Sequence, residues 1–249
     1  MFFTVITIFP EAFKSYLEQS VISKAIEKGI AGIDIVDLRN YADGKHKVVD
    51  DYPYGGEAGM VMKPEPITRC ITDLKTRDVS KSAKTVFLTP DGELFTQKKA
   101  IELAAEKSLI LLCGRYKGID ERVRESIVDH EISIGNYVLT GGELPAMVVI
   151  DSVMRMLPGT LGNIESAEND SFFNGLLSSP VYTRPPEFQG MKVPDVLLSG
   201  NHKQINEWKI KESLRRTMKR RPDLLETVKL SDKDKALLEK LMKETEKDD

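Results

Sequence analysis

The sequence predicts an α/β fold: a parallel sheet with helices packed on it, followed by a small α-rich C-terminal domain. Three observations lead there. Apolar runs at 85–88, 109–113 and 131–134 each stop at a turn residue (Thr89-Pro90, Gly114, Gly135), and each is followed by a stretch that can be helical. Such alternation is the signature of βαβ units. A polar stretch at 160–169 then interrupts the pattern, and the chain beyond it carries mainly helical spacing at 207–241.

The elements follow in order. The opening MFFTVITIF is apolar, lacks a basic start and runs directly into Pro10 and Glu11, which predicts a buried strand at 3–9 rather than a signal peptide. A further strand is expected at 33–37. Helices are expected at 97–107 around Ile101, Leu103 and Ala104, at 120–128 around Val123 and Ile127, and at 146–157, where Leu157-Pro158-Gly159 supplies the stop. Beyond the polar stretch, a short helix is expected at 171–177 and an extended Pro-rich segment at 182–188. The last twenty residues mix both charges around Leu237, Leu238 and Leu241, as a surface helix with a frayed end would.

Composition bounds the function. A chain of 249 residues buries roughly 70% or more of its unfolded surface, and 41% hydrophobic with 30% charged residues is ordinary for a folded enzyme or binding module. Cys70 and Cys113 form no CxxC pair, and His46, His130 and His202 lie far apart, which argues against a zinc site or a disulfide framework. No apolar run approaches the ~20 residues of a membrane span. The cytoplasm is the expected compartment.

The most informative stretch is IGNYVLTGGELP at 134–145. Three glycines, an aromatic and a proline stand between a strand-like run and a helix-like run, so recognition there falls to main-chain groups that a ligand can approach closely. A turn explains each glycine singly. Two such loops past adjacent strands, this one and CGRYKGIDER at 113–122, are harder to explain as turns alone, and ligands of open parallel sheets sit beyond the carboxyl ends of strands. No GxGxxG follows a strand and no P-loop is present, which disfavours dinucleotides and nucleoside triphosphates.

The net charge of −3 conceals a local excess. Residues 201–221 carry Lys203, Lys209, Lys211, Arg215, Arg216, Lys219, Arg220 and Arg221 against Glu207 and Glu212, on a helix spaced by Ile205, Trp208, Leu214 and Met218. This is either a solvated helix face or the electrostatic footprint of a nucleic acid. Trp208 reads as core rather than as a stacking platform.

GRYKGIDERV, IGNYVLTGGELPAMVVIDSVMRMLPGTLGN, ENDSFFNGLLSSPVYTRPPEF and LLSGNHKQINEWKIKESLRRT resemble, in order and nearly end to end, the bacterial tRNA (guanine-N1)-methyltransferase family of the knotted (SPOUT) superfamily. The resemblance implies a deep trefoil knot in an S-adenosylmethionine-binding domain at 1–159, an interdomain linker at 160–170 and a helical tRNA-binding domain at 171–249. It also implies a homodimer with active sites at the subunit interface, tRNA rather than DNA as partner, and Mg2+ as a candidate accessory ion without assigned ligands. The implied cofactor residues are Leu88, Thr89, Pro90, Gly114, Ile134, Gly135, Asn136, Tyr137, Val138, Leu139, Gly141, Gly142 and Pro145. Three positions depart from the usual pattern: Glu57 replaces a glycine, Lys117 an acid, and Asn136 an aspartate.

The implied reaction methylates N1 of the guanosine 3′ of the anticodon. N1 carries a proton and O6 gains negative charge as it leaves, so a base and a cation are both required. The resemblance assigns these roles to Asp170 and Arg155. From the residues alone, Asp170 reads rather as an N-cap of the 171–177 helix and Arg155 as a helix C-terminal cation, and only the resemblance reverses that preference. RNA contacts are expected from 201–221, Arg184 and the PYGGEAGM loop at 53–60. The alternatives are a knotted-fold ribose 2′-O-methyltransferase and a non-catalytic RNA-binding protein.

Overall fold

The computed structural model describes residues 1–18, 20–162 and 170–245. The chain divides into two compact units, Met1–Ile164 and Glu165–Asp249. The first holds β1 (Phe2–Thr7), α1 (Lys14–Leu17), α2 (Ser20–Glu27), β2 (Gly32–Asp37), β3 (Asp50–Asp51), β4 (Val61–Met62), α3 (Pro64–Leu74), β5 (Lys84–Leu94), α4 (Gln97–Ala104), β6 (Ser108–Cys113), α5 (Glu121–Ile127), β7 (His130–Ser133) and α6 (Glu143–Met154). Five strands form a sheet in the order β2-β1-β6-β5-β7, with every neighbouring pair parallel.

Side-chain alternation along the strands builds two cores, one on each face of the sheet. Phe3, Val5, Val86, Leu88, Leu109 and Leu111 face α2, α4 and α6, meeting Ala25, Leu103, Val149, Ile150 and Val153. Ile6, Phe87, Ile110 and Leu112 face the other way, onto Ile67, Cys70 and Leu74 of α3 and Val123 of α5. The central strand β6, SLILLC, is buried at every residue. It therefore reads as an unbroken apolar run, and each such Leu or Ile contributes about 1.5–3 kcal/mol by leaving water.

Several boundaries differ from the sequence expectation, for identifiable reasons. The first strand stops at Thr7 because the Thr7 hydroxyl accepts from the Phe9 N–H at 2.9 Å, turning the chain into a 3-10 helix at Pro10–Phe13. β5 runs beyond Leu88 to Leu94. Leu88 and Glu93 both pair with Ile132, so 89–92 loops out and the chain then rejoins the same partner strand. Gly92 permits that return: a Cβ there would stand 2.5 Å from the Glu131 carbonyl carbon. Helix α6 starts three residues before the expected 146, because Pro145 needs no N–H partner in a first turn and Glu143 suits the positive helix end.

The second unit contains a hairpin of β8 (Glu187–Phe188) and β9 (Met191–Lys192), then α7 (Asp195–Leu198), α8 (His202–Arg220) and α9 (Asp232–Thr245). The helix expected at 171–177 is instead a closed turn. Phe172 takes φ +74°, its N–H donates to the Leu176 carbonyl at 2.7 Å, and Ser171 Oγ accepts from the Ser178 N–H at 2.9 Å. The turn is tied to α8 through Leu177, whose N–H donates to Thr217 Oγ1 at 2.9 Å and whose carbonyl accepts from Ser213 Oγ at 2.5 Å. Most of the expected linker, 163–169, and the expected frayed terminus, 246–249, lie outside the described residues.

Candidate active site

Because β6, β5 and β7 are parallel and adjacent, their carboxyl ends open at one edge of the sheet. A cavity of about 300 Å³ lies there. Leu88, Thr89 and Pro90 enter it from the turn within β5, and Gly114 from the end of β6. Ile134, Gly135, Tyr137, Val138, Leu139, Gly141 and Gly142 enter from the loop between β7 and α6, and Pro145 from the first turn of α6. Asn136, expected among them, is not a lining residue.

Close backbone approach brings these loops together. Gly142 N–H donates to the Gly114 carbonyl at 2.9 Å, and Arg115 and Gly141 form an antiparallel bridge. A Cβ on Gly142 would stand 2.7 Å from Cys113 Cα, and one on Gly114 would stand 2.7 Å from the Phe87 ring. Glycine at both positions therefore follows from close packing, Gly142 against the end of β6 and Gly114 against the Phe87 ring of β5. Within the 134–142 loop, Ser133 Oγ donates to the Gly135 carbonyl at 3.1 Å and Tyr137 N–H reaches the same carbonyl at 2.9 Å. Gly135 itself has φ +150°.

Phe87, Arg115, Tyr116, Gly118, Ile132, Ser133 and Thr140, none of them among the implied cofactor residues, also line the cavity, as does Lys117, which the sequence marks only as a departure from the family pattern. Arg115 lies 4.2 Å over the Phe9 ring and donates to the Thr140 carbonyl at 3.1 Å. Its Nε is 3.3 Å from Oε2 of Glu143, a buried carboxylate whose other oxygen accepts from Thr7 at 2.8 Å. No sequence motif marks Glu143 as special, since its partners are 28 and 136 residues away. Buried Cys113 below the cavity is no nucleophile, because burial pushes its thiol well above the ordinary value.

Two of the three departures from the family pattern meet in space. Lys117 Nζ lies 2.6 Å from Glu57 Oε2, and the hydrogen bond holds the Glu57 carboxyl below the usual carboxylate range. Lys117 also faces a second cavity of about 840 Å³, with Tyr52, Tyr54, Glu57 and Arg122 from the 51–57 and 119–124 segments.

Arg155 closes the C-terminal end of α6 and lines a different cavity of about 280 Å³ with Tyr16, Asp151 and Thr160. There Tyr16 donates to Asp151 at 2.7 Å, and burial with this bond raises the phenol above its ordinary value. Asp170 belongs to the second unit and precedes the closed turn at 171–178, so the N-cap reading of Asp170 does not hold: no helix begins there. Among the described residues no three His, Cys, Asp or Glu side chains gather as metal ligands, and no helix is long and apolar enough to cross a membrane.

The basic segment is the helix α8. Arg215 pairs with Glu212 and Glu244, and Arg221 with Asp223, while Lys203, Lys209, Lys211, Arg216, Lys219 and Arg220 form no ion pair among the described residues. Lys209, Arg216 and Arg220, seven and four residues apart, share one face of the helix. Trp208 is half-buried, with its ring 6.3 Å from that of Tyr182.

Residues 1–227 match the family described as tRNA (Guanine-1)-methyltransferase TrmD. The chain is 55% identical over 242 residues to the tRNA (guanine-N(1)-)-methyltransferase of Geobacillus kaustophilus, covering 97% of this chain and 98% of that protein. It is 56% identical over 239 residues to that of Anoxybacillus flavithermus, covering 96% and 97%, and 55% identical over 240 residues to that of Bacillus cereus strain B4264, covering 96% and 98%. With matches that span nearly its whole length, the chain belongs to the tRNA (guanine-1)-methyltransferase, or TrmD, family.

Proposed function

We propose that this protein transfers the methyl group of S-adenosyl-L-methionine to N1 of the guanosine 3′ of the anticodon, guanosine 37, in tRNA. The observation that carries the reading is the cavity at the ends of β5, β6 and β7, in a chain of this family. Its volume, about 300 Å³, lies at the lower end of small-molecule sites. Apolar Leu88, Ile134 and Leu139 suit the faces of an adenine, and the glycine-lined backbone supplies donors and acceptors for its edge.

When bound, the cofactor would supply an electrophilic methyl carbon, whose bond to sulfur breaks as its bond to N1 forms, leaving a neutral thioether. The chain's own part is proton and charge handling. Asp170 accepts the N1 proton as the N1–methyl bond forms, and Arg155 stabilises the negative charge that develops on O6. Among the described residues no cluster of three His, Cys, Asp or Glu side chains is placed to hold Mg2+.

Within one chain, Arg155 lines a cavity whose lining residues are distinct from those of the cofactor cavity. That separation supports a homodimer in which the site is completed by two subunits. Helix α6 adds to the case, being apolar on nearly every side yet exposing Leu144 and Val148, one turn apart. We assign 1–159 to the knotted methyltransferase domain, 160–170 to the linker and 171–249 to tRNA binding, with the face of Lys209, Arg216 and Arg220 on phosphates. The cytoplasm, where tRNA resides, is the compartment.

The test is incorporation of radiolabelled methyl from S-adenosylmethionine into tRNA transcripts with and without guanosine at that position, followed by nucleoside analysis. N1-methylguanosine that depends on the guanosine is expected. Incorporation independent of that base, or a 2′-O-methylated product, overturns the reading. Asp170→Ala should lower the single-turnover rate about 10²- to 10⁴-fold while cofactor binding persists.

A further inference from the structure

The charged side chains that line the cofactor cavity are both cations, Arg115 and Lys117. A methyl donor carrying a sulfonium charge is a poor guest for such a wall unless each cation is neutralised from behind. Glu143 does this for Arg115 at 3.3 Å, and Glu57 does it for Lys117 at 2.6 Å. The first pair is largely buried. The second is exposed, 44% at the lysine and 67% at the glutamate, so it contributes little to stability. Its consequence lies in the charge it leaves on the cavity wall.

The geometry keeps Lys117 on that wall. Its N–H donates to the Met60 carbonyl at 3.0 Å, and Met62 N–H donates to the Gly118 carbonyl at 3.0 Å. Gly59, at φ +111°, lets the backbone lie against the lysine stem, and a Cβ there would stand 3.2 Å from Lys117 Cγ. With the stem held, the remaining freedom is the choice of partner for the ammonium. The Debye length is about 10 Å at 0.1 M salt, so a ligand charge in so small a cavity still senses an unpaired Lys117.

We propose that the Glu57–Lys117 ion pair sets the charge selectivity of the cofactor cavity, admitting the sulfonium-bearing methyl donor and preventing a bias toward the uncharged thioether product. The proposal rests on S-adenosylmethionine being the cofactor. Breaking the pair leaves a full positive charge beside the ligand. That charge penalises S-adenosylmethionine but not S-adenosylhomocysteine, which has the same adenosyl and amino-acid groups and a neutral sulfur. A pair that served only to hold the loop would affect both ligands alike.

The test is isothermal titration calorimetry of the full chain with each ligand at low salt, for the unaltered protein, Glu57→Gln, Lys117→Met and the double variant. Binding of S-adenosylmethionine to the unaltered protein tests the cofactor reading by itself, and its absence would overturn both. Given that binding, Glu57→Gln should shift the ratio of the two Kd values about fivefold against S-adenosylmethionine, a shift that shrinks at high salt. Lys117→Met, which leaves Glu57 unpaired, should shift the ratio toward S-adenosylmethionine, and the double variant should leave it unchanged. Equal changes for both ligands in Glu57→Gln, or no change in either, would overturn the proposal.

Discussion

The Thr7 hydroxyl donates to Oε1 of Glu143 at 2.8 Å, joining the end of the first strand to the first turn of α6 across 136 residues. The other oxygen of the same buried carboxylate faces Arg115 at 3.3 Å, and Arg115 in turn holds the Thr140 carbonyl of the loop between β7 and α6. One carboxylate thus couples β1, the loop after β6 and the loop before α6. Its position at the start of a helix is favourable for a negative charge.

Glu143→Gln keeps the shape and a hydrogen-bond acceptor but removes the charge that Arg115 faces. Losing one partner of a buried pair is costly, and because Arg115 retains 23% exposure the expected loss is about 1–3 kcal/mol in urea unfolding. S-adenosylmethionine binding should weaken as the Thr140 carbonyl loses its anchor. An unchanged urea midpoint would mean that the carboxylate is not the organising charge.

Gly142→Ala tests the close approach of the two loops. The backbone there is ordinary for any residue, at φ −81°, so strain is not the issue. The added methyl would stand 2.7 Å from Cys113 Cα. Overpacking of this kind costs about 1–3 kcal/mol, and calorimetry should show cofactor binding weakened more than tenfold, on the order of 1.4 kcal/mol or more. Wild-type affinity would show that the loops can separate freely.

The homodimer is tested on the outer face of α6. Leu144→Asp with Val148→Asp places two charges at exposed positions, 59% and 42% accessible, where the single chain should tolerate them. Sedimentation velocity should show the unaltered protein as a dimer and the variant as a folded monomer. A variant that remains dimeric would place the interface elsewhere.

Acid should loosen the turn that carries Thr89 and Pro90. Asp91 accepts from Thr89 and faces Arg124 at 2.8 Å, and Arg124 also holds Glu131 of β7 at 2.6 Å. The Thr89 hydrogen bond first, then Arg124, holds the Asp91 carboxyl below its ordinary value. A lowered folded-state pKa means that the native form binds the proton less readily than the unfolded one. The stabilisation is therefore complete above the unfolded value near 3.9 and is lost as pH falls through the lower native value. Unfolding midpoints measured from pH 6 to pH 3 should fall more steeply for the unaltered protein than for Asp91→Asn. Parallel curves would mean that Asp91 does not contribute.

Much of the sheet was legible because parallel strands buried on both faces leave continuous apolar runs, as LILLC at 109–113 does, and because glycine and proline mark their ends. The 171–177 segment was misread for a local reason. Its polar start and apolar Phe172, Phe173, Leu176 and Leu177 satisfy helical spacing, but the chain closes on Ser171 and ties to α8 through Leu177, contacts made 36 and 40 residues away. The 89–94 return was hidden too, since Thr-Pro-Asp-Gly describes a turn and says nothing about which strand the chain rejoins.

For the site, glycine spacing and short motifs in the sequence marked the loops that meet around the cavity, because close backbone approach demands particular residue types at particular positions. Only the tertiary structure decided the electrostatics. Arg115 meets Glu143, and Lys117 meets Glu57, through side chains brought together by strand order, and charge pairing across 28 or 60 residues leaves no periodic trace in the chain. The sequence thus carries the shape of the cavity, while the fold decides which of its charges a ligand encounters.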